Sequence, residues 1–258
     1  MCEGRGRQWK LSILHTGLGF YNGTLLHFMV GSASIDSHKD FPLNDIVGRP
    51  MNPIILIHAT PADEKRGLVQ AIRETWIAEW GRLIPWRFIY DRTYVGPAQK
   101  DEWTFDVDPG YWVMMRKTQA AVALAAVQGY SHVFVVCSDT YVVVPRLLAS
   151  GYEKHHYSGH RAGEGHAGGG CGYWLSRDAM QFVVDAHVFN DYEDRWVGTV
   201  LRERGIECFH DPRYWGAVHP YLDRIITVHM QQGAGALDPQ LLRDQHTVFM
   251  TEGEICGP

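Results

Sequence analysis

The stretch that decides the fold is His132–Leu147, which reads His-Val-Phe-Val-Val-Cys-Ser-Asp-Thr-Tyr-Val-Val-Val-Pro-Arg-Leu. Its first half is apolar and rich in β-branched residues, which is typical of a strand buried on both faces. The apolar run ends at Ser138 and Asp139. Because ligands of open α/β sheets bind beyond the carboxyl ends of the strands, a carboxylate here is placed to hold a metal ion or a polar substrate. The alternative is an ordinary turn residue that ends the strand.

The order of the elements around this strand predicts an α/β fold. Apolar runs at Pro53–His58 and Trp86–Tyr90 predict two further strands, and helical patterns occupy 68–80 and 113–128. A strand is predicted at 169–176, followed by helices at 177–187 and from about 192 to 205. This alternation across 53–205 indicates a mostly parallel sheet flanked by helices. The glycine motifs of P-loop and dinucleotide-binding folds are absent.

Length and composition fit one large domain with an added segment. The chain has 258 residues, of which 45% are hydrophobic and 21% charged, enough apolar mass for a core. The formal net charge of −5 argues against a dedicated nucleic-acid-binding protein, which usually carries a basic stripe. A nucleotide ligand needs only a few local contacts and stays compatible with this charge.

The N-terminal residues predict a β-hairpin. Asn22-Gly23 lies between two apolar runs, which is a strong signal for a type I′ turn. We therefore divide the chain into residues 1–50, an N-terminal β-hairpin extension and connector, and residues 51–258, the α/β domain. A lid, an edge addition to the sheet and a contact surface remain alternatives for the first part.

Cysteine usage and hydropathy indicate the compartment. The five cysteines are widely spaced and form no Cys-x-x-Cys pair, which predicts free thiols rather than a zinc site or a disulfide framework. No stretch reaches the roughly 18 apolar residues of a membrane span, and no secretory signal is visible. We expect no membrane span and a cytoplasmic protein, with a bacterial or viral source as one alternative.

Four separated motifs occur in the order of one enzyme family. They are Ala71–Trp76 (Ala-Ile-Arg-Glu-Thr-Trp), Ser138–Val142 (Ser-Asp-Thr-Tyr-Val), Gly169–Ala179 (Gly-Gly-Cys-Gly-Tyr-Trp-Leu-Ser-Arg-Asp-Ala) and Glu193–Gly198 (Glu-Asp-Arg-Trp-Val-Gly). They resemble motifs of the fringe-like β1,3-galactosyltransferases, which include the core 1 galactosyltransferases. The resemblance covers roughly residues 53–230. It implies a GT-A fold and an inverting glycosyltransferase that uses a UDP-sugar and a divalent cation, Mn²⁺ or Mg²⁺.

The resemblance also assigns the reacting groups. Asp194 is the implied catalytic base, in the first turn of a helix where the dipole favours a carboxylate. The alternative is that Glu193 and Asp194 only complement the helix N-terminus. Asp139 matches the last Asp of the family's Asp-Asp-Asp metal motif, and a hard carboxylate oxygen suits Mn²⁺ or Mg²⁺. Cys137 and Ser138 replace the first two carboxylates, which leaves the donor sugar and the metal affinity open.

The family's second metal ligand is a histidine that follows the base. The stretch from Phe209 to Trp215 resembles the segment leading to it, so His219 is the predicted ligand and His229 is the alternative. Donor-binding residues are assigned from the ligand-facing ends of strands and from the first helix. These cofactor-binding residues are Thr60, Arg73, Asp91, Ser138 and Asp139.

The acceptor is the least determined part. A saccharide or protein hydroxyl is the first expectation, and a hydroxymethylated base of DNA, as used by some phage and kinetoplastid transferases, is the alternative. The DNA alternative predicts a basic rim, for which the candidates are Lys154, Arg161, Arg202, Arg204 and Arg213. The replaced metal motif leaves a further alternative, a non-catalytic relative that binds nucleotide-sugars. The loop 151–168, rich in glycine and histidine, is expected to be a lid or acceptor loop rather than a zinc site.

Overall fold

The computed structural model describes residues 10–11, 18–21, 24–27, 51–96, 99–110, 114–163, 165–189, 191–215, 224–230 and 237–253. The strands are β1 Lys10–Leu11, β2 Leu18–Tyr21, β3 Thr24–His27, β4 Pro53–His58, β5 Trp86–Tyr90, β6 Glu102–Phe105, β7 His132–Cys137, β8 Thr140–Val142, β9 Tyr157–Gly159, β10 Tyr173–Ser176, β11 Phe209–His210, β12 Tyr214–Trp215 and β13 Thr227–His229. The helices are α1 Pro61–Arg66, α2 Leu68–Ile72, α3 Ala78–Trp80, α4 Met114–Val127, α5 Val144–Leu148, α6 Arg177–Asp185, α7 Glu193–Arg202 and α8 Pro239–Gly253.

The main sheet confirms the α/β prediction. Its strand order is β1-β6-β5-β4-β7-β10-β9-β11. In the part of the sheet formed by β1, β6, β5, β4 and β7, every strand is parallel to its neighbours. Strand β10 runs antiparallel to both β7 and β9, and β11 is parallel to β9. The sheet is therefore mostly parallel, and the carboxyl ends of β4, β5 and β7 meet at one edge.

Helices cover both faces of this sheet, and β4 shows why its sequence is apolar throughout. Ile55 and Ile57 belong to the core that packs under α2 and α8, whereas Ile54 and Leu56 belong to the core under α4, α6 and α7. Successive side chains of a strand point to opposite faces, so a central strand needs apolar residues at every position.

The segment predicted as one amphipathic helix across 68–80 is divided. A π-helical turn, Arg73–Ile77, separates α2 from α3, and Thr75 departs from helical geometry with φ −107° and ψ −112°. The Thr75 hydroxyl donates a hydrogen bond of 2.6 Å to the carbonyl of Ala71. It thereby occupies the acceptor that a regular helix offers to the backbone N–H of residue 75.

The predicted strand at 169–176 begins later than expected. Gly169–Cys171 forms a 3₁₀ turn, named here the glycine turn, and β10 starts at Tyr173. Gly172 joins the two with a φ of +82°, and a Cβ there would lie 2.3 Å from the Phe134 ring. Only glycine fits this position, because L-residues rarely adopt that φ and the ring leaves no space for a side chain.

Two smaller sheets complete the described structure. The strand order β12-β13-β8 forms a three-stranded sheet in which His229 pairs with Thr140. Strands β2 and β3 pair with Tyr21 opposite Thr24, which confirms the hairpin, although its turn residues lie outside the described part. Strand β1 pairs with β6, so this short piece of the N-terminal segment is an edge addition to the main sheet.

The sequence predicted free thiols and no membrane span. Among the described residues, Cys137, Cys171 and Cys208 are free thiols. No helix in the described ranges combines the length and the apolar character that crossing a bilayer requires.

Candidate functional site

The candidate site lies where β7 ends and β8 begins. Asp139, in the turn between them, is buried, and its Oδ2 lies 3.0 Å from His229 Nε2. The antiparallel pairing of β13 with β8 brings the histidine there, and the Met230 N–H donates to the Asp139 carbonyl at 2.8 Å. The structure thus places His229 against the predicted metal residue. His219 lies outside the described residues.

One oxygen of Asp139 is not satisfied. Asp139 Oδ1 is buried and has no hydrogen-bond partner among the described residues. A buried carboxylate oxygen without a partner is costly, and such groups usually bind something that completes them. The carboxylate therefore has one oxygen held by His229 and one available to a ligand.

The glycine turn packs directly on this pair. A Cβ on Gly170 would lie 2.4 Å from Cε1 of His229, so a side chain at this position would collide with the imidazole. The Thr140 hydroxyl donates to the Gly170 carbonyl at 2.6 Å, and the Thr227 hydroxyl donates to the Cys171 carbonyl at 2.6 Å. Thr140 follows Asp139 in the chain, and Thr227 lies two residues before His229 on β13. These two bonds therefore fix the glycine turn relative to the Asp139–His229 pair.

The same turn contacts the predicted base. Asp194 lies in the first turn of α7, as expected from the sequence. Its Oδ2 accepts a hydrogen bond of 2.9 Å from the Gly169 N–H, and its Oδ1 accepts one of 2.8 Å from the Arg195 N–H. A Cβ on Gly169 would lie 3.2 Å from that of Asp194, a tight contact. The glycine turn therefore joins Asp139, His229 and Asp194 into one site.

Glu193, the residue before the predicted base, has an unexpected position. It is buried, and its Oε1 accepts hydrogen bonds from the Thr118 hydroxyl at 2.7 Å and from the Tyr173 hydroxyl. Thr118 Oγ1 also lies 3.0 Å from Nε2 of the buried His58. Burial raises the pKa of Glu193 to about 7, although the hydrogen bonds from Tyr173 and Thr118 lower it.

A sequence signal for this burial exists. Glu193 is followed at i+3, i+4 and i+7 by Trp196, Val197 and Val200, which are all buried. The helical period therefore places Glu193 on the core face of α7, whereas its position at the start of the helix predicted only an interaction with the helix N-terminus.

The predicted donor residues divide into two kinds. Asp91 follows β5, is buried, and its Oδ1 accepts hydrogen bonds from the backbone N–H and hydroxyl of Thr93. Ser138, also buried, adjoins Asp139 after β7. Both lie at the sheet edge that carries the site.

Thr60 and Arg73 are engaged in structural contacts. The Thr60 hydroxyl accepts from the Asp63 N–H at 3.2 Å and the Thr60 N–H donates to Asp63 Oδ2 at 2.9 Å, which together form the capping box of α1. The Thr60 hydroxyl also donates to Asp63 Oδ2 at 2.7 Å. Arg73 donates to Asp101 Oδ2 at 3.1 Å and to Glu102 Oε1 at 2.8 Å. These contacts explain both residues without a ligand.

The described contacts bear on two alternatives from the sequence, a zinc site in the loop 151–168 and a basic rim for DNA. Among the described residues, no group of three or more His, Cys, Asp or Glu could hold a metal ion. In the loop 151–168, the His155 ring stacks on Phe209 with centroids 3.6 Å apart. Of the basic rim candidates, Arg213 donates to both carboxylate oxygens of Asp211 and to the carbonyl of Ser150, so its charge is already paired.

Comparison with known proteins gives likenesses to solved structures only. No family model matches the chain. No curated protein matches it. A glycosyltransferase involved in the glycosylation of the major capsid of PBCV-1 is 15% identical with a TM-score of 0.49, over 76% of this chain and 99% of that one. The apo-form glycosyltransferase GlyE of Streptococcus pneumoniae TIGR4 is 9% identical with a TM-score of 0.43, over 79% and 63%. A197 from STIV is 9% identical with a TM-score of 0.37, over 73% and 98%. All three TM-scores are below 0.5, so the α/β assignment rests on the sheet topology itself.

Proposed function

We propose that the chain is a metal-dependent glycosyltransferase of GT-A type that moves a sugar from a UDP-sugar to a hydroxyl group with inversion. The acceptor hydroxyl belongs to a saccharide or a protein. The observation that carries the proposal is the meeting of Asp139, His229 and Asp194 around the glycine turn. Sugar transfer needs a charge-neutralising group for the leaving diphosphate and a base for the incoming hydroxyl within one site.

The residues present fit a divalent cation. Asp139 and His229 offer a carboxylate and an imidazole, which are both common ligands of Mn²⁺, and Asp139 Oδ1 has no partner among the described residues. They would hold the cation together, with Mg²⁺ as the alternative metal. When bound, the cation would neutralise charge on the departing diphosphate.

Asp194 would act as the base. The N–H groups of Gly169 and Arg195 each donate to one of its oxygens, which fixes the orientation of the carboxylate. It would take the proton of the acceptor hydroxyl while that oxygen attacks the anomeric carbon. A single displacement of this kind requires one base and inverts the configuration.

The donor would lie at the carboxyl ends of β4, β5 and β7. Asp91 and Ser138 are its best-placed contacts, because both lie at this edge. Thr60 and Arg73 remain proposed donor-binding residues from the sequence. Each would contact the donor either in addition to its present hydrogen bonds or in place of them.

Thermal unfolding with a panel of nucleotide-sugars, each with and without Mn²⁺, tests this function. A ligand at a hundred times its dissociation constant that binds only the folded state adds about 2.7 kcal/mol, which a melting curve detects. We expect one UDP-sugar to stabilise the chain only when Mn²⁺ is present, and this metal dependence to disappear in Asp139→Asn.

Asp178→Asn is the matched control, because Asp178 is an exposed carboxylate in the first turn of α6, away from the site. It should keep the full response to donor and Mn²⁺. A chain that responds to no nucleotide-sugar would contradict the transferase proposal. Stabilisation by a donor without any sugar transfer would instead support the non-catalytic binding alternative.

A further inference from the structure

The Asp194 carboxylate has a further neighbour, a histidine from the loop 151–168. His166 Nε2 lies 4.0 Å from Asp194 Oδ2, and its side chain is largely buried while the carboxylate is partly exposed. Oδ2 is also the oxygen that accepts the Gly169 N–H. The imidazole therefore lies next to the same Asp194 oxygen that accepts the hydrogen bond from the Gly169 N–H.

A glycine of α7 makes room for this histidine. A Cβ on Gly198 would lie 2.4 Å from Cβ and 3.0 Å from Cα of His166, which is too close for any side chain. Gly198 follows Asp194 by four residues and so lies one turn further along the same face of the helix. Glycine weakens a helix relative to alanine, so a glycine here is explained by the approach of His166.

The backbone on either side of His166 is fixed as well. The Ala162 N–H donates to the His166 carbonyl at 2.7 Å, and the Ala167 N–H donates to the Tyr157 hydroxyl at 2.7 Å. Arg161 and Ala167 form an isolated antiparallel bridge. The histidine is therefore positioned by its own backbone as well as by the space over Gly198.

We propose that His166 is the proton-relay partner of Asp194: its neutral imidazole lies beside the carboxylate, helps to orient it, and takes over the proton that Asp194 removes from the acceptor. The inference rests on the proposed function of Asp194. As the acceptor oxygen bonds to the anomeric carbon, the bond from that carbon to the diphosphate oxygen breaks and the hydroxyl proton passes to Asp194. The proton then moves to His166 Nε2 and from there to water, which returns the base to its ionised form.

The transfer needs a proton acceptor at His166 Nε2. In a neutral imidazole one ring nitrogen carries a lone pair, and in the tautomer that leaves it on Nε2 this atom can accept the proton from the Asp194 carboxyl group. A separation of 4.0 Å is longer than a hydrogen bond, and a side-chain rotation or one bridging water closes it.

The pairing itself can be tested without any substrate. Nitrogen NMR of ¹⁵N-histidine-labelled protein reports the ring nitrogens, and His166→Gln identifies the His166 signals by their loss. We expect Asp194→Asn to shift these signals. Asp191→Asn should leave them unchanged, because Asp191 pairs with Arg195 at 3.7 Å in the same segment. Signals unaffected by Asp194→Asn would overturn the pairing whatever the chain's reaction is.

The proton-accepting role is tested by kinetics with the donor that the wild type uses. His166→Gln should lower kcat at least tenfold while the donor KM stays unchanged. The loss should not exceed the roughly 10²–10⁴ that an acid–base group contributes, because Asp194 is still present. Gly198→Ala should likewise lower kcat by displacing the imidazole. Gly163→Ala, in the same loop with nothing within 4 Å of the added carbon, should leave kcat as it is.

Chemical rescue separates this role from a merely structural one. Imidazole added to the buffer should restore part of the activity of His166→Ala, since the ring can enter the space above Gly198. A His166→Gln kcat within about twofold of wild type, or a defect that imidazole does not relieve, would overturn the role. An NMR shift in a chain that transfers no sugar would remove the proton role together with the proposed function.

Discussion

At the scale of single residues, Glu193 titrates near neutrality because the first turn of α7 carries it into the core. Burial raises its pKa to about 7 from the usual value of 4.5. A group whose pKa is raised in the folded state adds stability that is complete below the unfolded-state pKa and is lost as pH rises through the folded-state pKa. The relevant window therefore runs from about pH 4.5 to about pH 7.

Glu193→Gln should remove this pH dependence, since the amide stays neutral throughout. At 1.36 kcal/mol for each pKa unit, the unfolding free energy of the variant minus that of the wild type should rise by about 3 kcal/mol between pH 4.5 and pH 7.5. Urea unfolding at several pH values measures it. Glu203→Gln, an exposed carboxylate at the end of the same helix, is the control and should show no such trend. A flat difference for Glu193→Gln would show that the carboxyl is not buried as described.

At the scale of elements, the candidate site depends on the glycine turn, which packs on His229 and donates a hydrogen bond to Asp194. Its residues could be found from the sequence as a motif, but their contact with His229 could not. That contact depends on the pairing of β13 with β8, which joins residues about ninety positions apart in the chain. No periodicity within a local window records such a pairing.

Gly170→Ala tests this element. The added methyl would lie 2.4 Å from the His229 ring, so the imidazole must move away from Asp139. We expect a loss of about 1–3 kcal/mol in stability from overpacking and the disappearance of stabilisation by Mn²⁺. Gly168→Ala is the matched change, because the nearest atoms to its new carbon are 3.9 Å away and its φ of −71° suits alanine. Equal responses to Mn²⁺ in the two variants would contradict a metal role for His229.

At the scale of the whole molecule, the sequence predicted the sheet better than the site. The central strands were found with their observed bounds, because a strand buried on both faces is apolar at every position. Asp139 and Asp194 were predicted as site residues through motifs, and both contact the glycine turn or its neighbour His229. The burial of Glu193 was missed although the helical period of α7 places it on the core face, and the approach of His166 to Asp194 was missed because it joins two separate segments. Thr75 was missed because a side-chain hydrogen bond outweighs the helical pattern.

The distribution of charge over the whole molecule bears on the acceptor. The formal net charge is −5, and Arg213, the rim candidate closest to β12, is held by Asp211. Duplex binding depends on releasing counterions from phosphates through unpaired cations, and affinity then falls steeply with salt. We therefore expect fluorescence anisotropy with a labelled duplex containing hydroxymethylcytosine to show no binding at physiological salt. Asp211→Asn, which frees Arg213, should raise binding at low salt. Tight wild-type binding with a steep salt dependence would instead favour DNA as the acceptor over a saccharide or protein hydroxyl.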